Sequence, residues 1–201
     1  MDIKAIGFDY GGVVAGIPGP EFERRVISLL GVDLETFRAV YFEFNHLMNN
    51  NALSRDNFWK KVVDELDLSD KYNSLISFID GLPQHVINSD ILTLCDRLRI
   101  NGYKTGLLSN NTMETAQKFR SSDLVTHFDV TVFSAEIGLS KPHPQAFKIF
   151  CERLMILPSE MVFIDDTEKS LEAAKSVGFH PLLFIDFESL IQSLRLIGVK
   201  I

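Results

Sequence analysis

Apolar residues fall along this chain in two rhythms. Short, nearly continuous apolar runs of strand length occupy residues 3–8, 104–109, 129–133, 161–165 and 181–185. That is the pattern of strands buried on both faces of a parallel sheet. Helix-length amphipathic segments lie between and after the later runs, at 90–100, 112–120, 144–155, 168–177 and 187–196. Gly102, Pro158 and Gly178 stand where three of these helices should stop. Strand and helix thus alternate from about residue 90 onward, which predicts βαβ units in a doubly wound α/β fold with a parallel five-stranded sheet of order 3-2-1-4-5.

Residues 15–84 break the alternation. After the turn residues Gly16, Pro18, Gly19 and Pro20, the apolar positions repeat at helical spacing: Phe22, Val26, Leu29 and Leu30, then Phe37, Val40, Tyr41 and Phe44. Ser54 reads as the N-cap of a helix carrying Phe58, Trp59, Val62, Val63 and Leu66. The expected organisation is a Rossmann-like core of residues 1–14 and 85–201, with an all-helical insertion at 15–84.

With 201 residues, 46% hydrophobic and 23% charged, the chain has an ordinary globular balance. Its 20 Lys+Arg against 27 Asp+Glu give a formal charge of −7. An acidic chain without a basic run is a poor match for a phosphate backbone, so no nucleic-acid partner is expected. The apolar stretches are shorter than the ~20 residues of a membrane span, so no membrane association is expected either. The early acid at Asp2 and the break at Asp9 make the N-terminal segment a strand rather than a signal peptide. Cys95 and Cys151 sit in apolar helical patterns and are expected as buried free thiols, which suits a cytoplasmic location.

Four short stretches carry the candidate chemistry. Asp9 ends the first apolar run and is followed by Gly11 and Gly12, whose small size lets backbone N–H groups approach an anion. Ser109, Asn110 and Asn111 end the second run. Lys141 lies in a loop with Pro142 and Pro144 beyond it. Asp165 and Asp166 end the fourth run as adjacent carboxylates, which repel unless a cation holds them. Open α/β sheets bind ligands at the carboxyl ends of their strands. In the order 3-2-1-4-5 the first strand is central, so Asp9, Ser109 and the Asp165–Asp166 pair should converge. Oxygen ligands without His or Cys suit a hard cation such as Mg²⁺. Lys141 and the Ser109 hydroxyl would then hold a phosphoryl group.

These residues resemble the haloacid dehalogenase-like hydrolase superfamily, in the group with a small helical cap after the first strand. The stretch from Phe128-Asp129 through Ser134-Ala135-Glu136-Ile137-Gly138-Leu139-Ser140-Lys141-Pro142 is similar to the motif leading to that group's lysine. Phe163-Ile164-Asp165-Asp166, with Ala173-Ala174 and Gly178, is similar to its acidic motif and following helix. Residues 51–59 resemble the cap of sugar-phosphatase-like members and of epoxide-hydrolase N-terminal domains. The resemblance implies a phosphatase acting on a small phosphorylated metabolite such as a sugar phosphate. Asp9 would be its nucleophile, forming an aspartyl-phosphate. Ser109 and Lys141 would contact the phosphoryl group, with Asn110 and Gly12 as further phosphate contacts. Asp9, Asp166 and the Gly11 carbonyl would bind Mg²⁺, and Asp165 would be either another ligand or the partner of Lys141.

Two departures change what is expected. Gly11 stands where phosphatases of this family usually carry a second Asp as general acid and base, which predicts slow turnover. Ser170 stands where the family has Asn. Two alternatives follow: a catalytically weak or inactive member that binds or regulates, and a 2-haloacid dehalogenase. The Asp165–Asp166 pair counts against the latter. In the insertion, Asn45, His46 and Asn49 form a polar cluster, and Arg24 and Arg25 are candidates for a second anionic group. Oligomeric state is not encoded in any of these features.

Overall fold

The computed structural model describes residues 2–16, 20–81 and 86–201, without the side chains of Pro20 and Glu21. Five parallel strands, β1 (Ala5–Phe8), β2 (Lys104–Ser109), β3 (Val130–Phe133), β4 (Met161–Asp165) and β5 (His180–Leu183), form one sheet in the order β3-β2-β1-β4-β5. This is the order expected from the alternation. β1 starts two residues later than the apolar run, although Lys4 continues the ladder by donating its N–H to Glu160 O and accepting from Lys104 N–H. β5 begins one residue earlier than expected, because His180 still finds a partner in Val162 of β4.

Side-chain alternation divides the sheet into two buried faces. Ile6 and Phe8 of β1, Leu107 of β2 and Ile164 of β4 meet helices α5 (Ser89–Ile100), α6 (Met113–Arg120) and α10 (Phe187–Leu196). Ala5, Leu108, Val132, Met161 and Phe163 meet α8 (Pro144–Leu154) and α9 (Glu168–Ser176) on the other face. Asn88, Thr112 and Asp186 cap α5, α6 and α10 with their side-chain oxygens, satisfying N–H groups that the first turn of a helix leaves orphaned. Both cysteines are buried and free.

Four further helices, α1 (Pro20–Leu30), α2 (Leu34–Asn49), α3 (Arg55–Glu65) and α4 (Tyr72–Asp80), follow β1 and precede α5. Ser54 caps α3 through Asn57 N–H, as its position implied. The four helices close around Phe37, Phe58, Trp59, Val62, Val63 and Leu75. Burying a large apolar side chain is worth ~1.5–3 kcal/mol, so this cluster gives the insertion a core of its own. The expected turn residues Pro18 and Gly19, and the expected boundary at 84–85, lie outside the described residues. A short helix, α7 (Ser134–Ile137), follows β3 and touches the end of α2. Among the described residues, no helix is long and apolar enough to cross a membrane.

The face carrying α8 is packed to the backbone. A Cβ built on Gly106 of β2 would lie 2.5 Å from the Phe150 ring and 2.9 Å from Leu154, both fully buried. Overpacking of this kind costs about 1–3 kcal/mol. Gly106→Ala should therefore lower the unfolding free energy by that amount, read as a lower urea midpoint with an unchanged slope. An unchanged midpoint would mean that α8 moves off the sheet freely.

Candidate functional site

The register of the sheet assembles the site. Phe8 pairs with Leu107 on one side and Ile164 on the other, so the next residues, Asp9 and Asp165, stand side by side at the carboxyl ends of their strands. Asp9 N–H still donates to Ile164 O at 2.9 Å, and Asp9 Oδ1 accepts the Tyr10 N–H at 2.7 Å. Ser109 is the last residue of β2 and is 1% exposed. Carboxylate oxygens of Asp9, Asp165 and Asp166 lie within 4.8 Å of one another.

Lys141 enters from the β3–α8 connection and is buried between two of these acids. Its Nζ lies 2.7 Å from Asp9 Oδ1 and 2.6 Å from Asp165 Oδ2. Burial alone would lower the ammonium's pKa, but Asp9 and Asp165 outweigh it and raise it. Burial pushes the Asp9 carboxyl up to about 6; Lys141 opposes that rise and Asp165 adds to it. Asp166, half-buried, is raised by burial first and by Asp165 second. Asp165 is fully buried, and its second oxygen accepts the Thr167 N–H at 2.9 Å.

Two residues expected to contact phosphate have polar groups engaged within the protein. Asn110 was expected to contact phosphate through its position beside Ser109. Its carboxamide brackets the Lys141 backbone: Oδ1 accepts Lys141 N–H and Nδ2 donates to Lys141 O, each at 2.7 Å. Gly12 was expected to offer its N–H to an anion, but that N–H donates to Ala15 O at 2.8 Å. Gly12 has a different physical reason for being glycine. Its φ is 78°, and a Cβ there would lie 2.2 Å from Asp166 Oδ2, so only glycine admits the carboxylate.

Ser134 joins the site without having been a candidate in the sequence, while Asn111 and the polar residues of the insertion were candidates. Asn111 Nδ2 donates to Ser109 Oγ at 3.2 Å, and Asn111 N–H donates to Ser134 Oγ at 2.9 Å. In the insertion, Asn49 Nδ2 donates to Asn45 Oδ1 at 3.4 Å, while His46 is exposed. The Arg25 guanidinium lies over the Phe78 ring, 4.8 Å from its centroid, within the insertion itself.

The arrangement fits a hard divalent cation. Three carboxylates face one ammonium, the donors are all oxygen, and one acid is completely buried. Such a set is stable when a cation of the Mg²⁺ type neutralises the surplus.

Comparison with known proteins places the chain in a family. Residues 3–178 match the model of a hydrolase family described as haloacid dehalogenase-like hydrolase. The bifunctional epoxide hydrolase 2 of Sus scrofa is 29% identical over 130 residues, which are 62% of this chain but 23% of that protein. The chain thus spans about a quarter of the length of that relative. A D-ribitol-5-phosphate phosphatase of Bacteroides thetaiotaomicron is 27% identical over 191 residues, covering 88% of this chain and 89% of that one. A HAD-family enzyme from the same organism, solved with magnesium and inorganic phosphate, superposes with a TM-score of 0.69 at 21% identity, covering 94% and 98% of the two chains.

The electrostatics of Asp9 predict how stability responds to pH. Its folded pKa of about 6 exceeds that of an unfolded aspartate, about 3.9. The folded state therefore holds the proton more tightly, and ionising Asp9 destabilises the fold as pH rises from about 4 to 6. In chelator, Asp9→Asn should melt no lower than the parent at pH 7–8, and its relative advantage should shrink as pH falls below 6. A melting temperature lowered by several degrees at pH 7–8 would show instead that the Asp9 charge stabilises the fold.

Proposed function

The chain belongs to the haloacid dehalogenase-like hydrolases, and on that premise we propose that it is a Mg²⁺-dependent phosphomonoester hydrolase. Its proposed substrate is a small phosphorylated metabolite of the sugar-phosphate kind. The observation carrying this reading is the buried Lys141 ammonium held between Asp9 and Asp165, with Asp166 alongside. The phosphate-ester specificity of the ribitol-phosphate relative supports the substrate class. Residues 1–14 and 85–201 act as the catalytic core and 15–84 as its cap.

In this mechanism an Asp9 carboxylate oxygen attacks phosphorus. A bond forms from Asp9 to phosphorus, the ester P–O bond breaks, and the alcohol leaves with a proton taken from water. The hydroxide left by that water then attacks phosphorus, the bond from Asp9 to phosphorus breaks, and inorganic phosphate leaves with the Asp9 carboxylate restored. Lys141 neutralises the nucleophile and the transferring group, and Ser109 Oγ donates to a phosphoryl oxygen. Asp165, with both oxygens engaged by Lys141 and Thr167, fixes the ammonium. Asn110 fixes the backbone from which that ammonium extends. Asp9, Asp166 and the Gly11 carbonyl would hold magnesium, which supplies charge neutralisation at the phosphoryl oxygens.

Asp9→Asn should lower phosphate release from an aryl phosphate roughly 10⁴-fold or more, the scale of losing a nucleophile. Chelator should abolish the activity, and Asp166→Ala should raise the magnesium concentration needed for half-maximal rate. Undiminished phosphate release in chelator would overturn the magnesium dependence.

Gly11 supports a second reading, a member that binds phosphorylated ligands and turns them over feebly. The left-handed backbone of this loop belongs to Gly12, while Gly11 pairs with Ala15 in a bridge, so a side chain at position 11 does not require a left-handed backbone. Gly11→Asp should recover part of the roughly 10²–10⁴ available from general acid catalysis. The gain should be largest on sugar phosphates, whose alkoxide leaving groups need protonation. A folded, magnesium-binding variant with no gain on either substrate class would favour the ligand-binding reading.

A further inference from the structure

Ser134, the first residue of α7, is 1% exposed and makes no contact with the carboxylates described above. Its hydroxyl nonetheless joins three parts of the molecule. Its Oγ accepts the Asn111 N–H at 2.9 Å. It has two possible acceptors for its single proton: the Asn49 carbonyl in the last turn of α2, which it meets at close range, and the Asn111 carbonyl at 3.3 Å. The Asn49 carbonyl is one of the four that a helix C-terminus leaves without an intrahelical donor.

The chain of donors continues to the phosphate subsite. Asn111 Nδ2 donates to Ser109 Oγ. A hydroxyl whose lone pair is occupied this way must turn its own hydrogen elsewhere, and so presents it to an incoming acceptor. The Asn111 carboxamide can do this only while its backbone is held, by Ser134 Oγ on the N–H and by Ala135 N–H on the carbonyl, 3.3 Å away. Ser134 is held in turn by its own helix. The Arg120 guanidinium binds Glu136 through Nε and Nη2, both at 2.8 Å, and reaches Thr131 Oγ1 at 2.9 Å. The Phe133 N–H donates to the same Glu136 carboxylate.

We infer that Ser134 is a positioning residue that couples docking of the α2 end of the helical insertion to the orientation of the Ser109 hydroxyl. With the insertion docked, the Ser134 proton lies on Asn49 O. With it displaced, the proton turns to Asn111 O and the buried hydroxyl stays satisfied, so displacement leaves no orphan inside the core. The same turn draws on the Asn111 peptide that orients Ser109. Occupancy of the phosphate subsite and docking of the insertion are therefore linked through one side chain, and by linkage each favours the other. The inference rests on the phosphatase reading only where it gives Ser109 a phosphoryl group to bind.

The test separates the two. Hydrogen exchange is measured on the full chain, alone and with magnesium and inorganic phosphate, for the parent, Ser134→Ala and Asn111→Ala. Hydrogen bonds of this kind are worth roughly 0.5–1.5 kcal/mol, a roughly two- to tenfold effect. Ser134→Ala should speed exchange at the end of α2 (residues 47–53) and at Asn111 by that factor, and should weaken phosphate inhibition of aryl-phosphate hydrolysis similarly. Asn111→Ala should weaken phosphate inhibition while leaving exchange in the α2 end of the phosphate-free protein unchanged. In the parent, phosphate should slow exchange at the end of α2, and in both variants that slowing should be lost. Unchanged exchange at the α2 end in Ser134→Ala, or phosphate protection persisting there in Asn111→Ala, overturns the coupling. If Ser134→Ala does not fold, the Asn111→Ala arm decides alone. A parent that neither hydrolyses an aryl phosphate nor responds to phosphate overturns the phosphatase reading and the link to the phosphate subsite. The exchange shift of phosphate-free Ser134→Ala would then still establish the docking contact.

Discussion

One ammonium holds this site together. Lys141 is brought into a place where burial works against any charge, and it stays charged because Asp9 and Asp165 stand on either side within 2.7 Å. Removing the ammonium from such an arrangement leaves buried carboxylates uncompensated, and losing one side of a buried ion pair in this way typically costs about 3–5 kcal/mol. Much of the surrounding backbone serves to keep it in place. The sheet register puts Asp9 beside Asp165, the Asn110 carboxamide brackets the lysine's backbone, and Gly12 leaves space for the third acid.

The same balance gives the site its chemistry. Three carboxylates against one lysine leave surplus negative charge, which a hard cation relieves and a bare phosphate would meet as repulsion. The fold resists ionisation of Asp9, pushed up to about 6 by burial, and raises Asp166 as well. A carboxylate poorly solvated by its surroundings and steered by one ammonium is suited to attack phosphorus once that surplus is met. The helical insertion contributes from outside, through the carbonyl of Asn49 on the Ser134 hydroxyl.

What could be read from the sequence was what local pattern encodes. Apolar runs ending in Asp9, Ser109 and Asp165 marked strand ends, and the alternation after residue 90 implied the strand order that brings those ends together. Ser54 at the head of α3 was equally plain, because capping depends on three neighbouring residues. Long-range choices between chemically similar partners were not readable. Nothing local to Asn110 signals that its carboxamide would bond a peptide group 31 residues away. Gly12 suggested an open anion-binding N–H, but its turn folds back on Ala15 while its missing side chain makes room for Asp166. Ser134 lies 85 residues from the carbonyl it meets, and no local pattern announces such a contact.

The central claim is that Asp9 is a nucleophile made serviceable by Lys141 and a divalent cation. Trifluoroberyllate reports on this without requiring turnover, because it adds to a reactive aspartate as a mimic of the acyl phosphate. Titrated into the protein with magnesium and followed by fluorine NMR, it should give bound resonances in the parent. Those resonances should be absent without magnesium and absent in Asp9→Asn. Bound resonances that persist unchanged in Asp9→Asn, or a parent that gives none with magnesium present, would contradict the account.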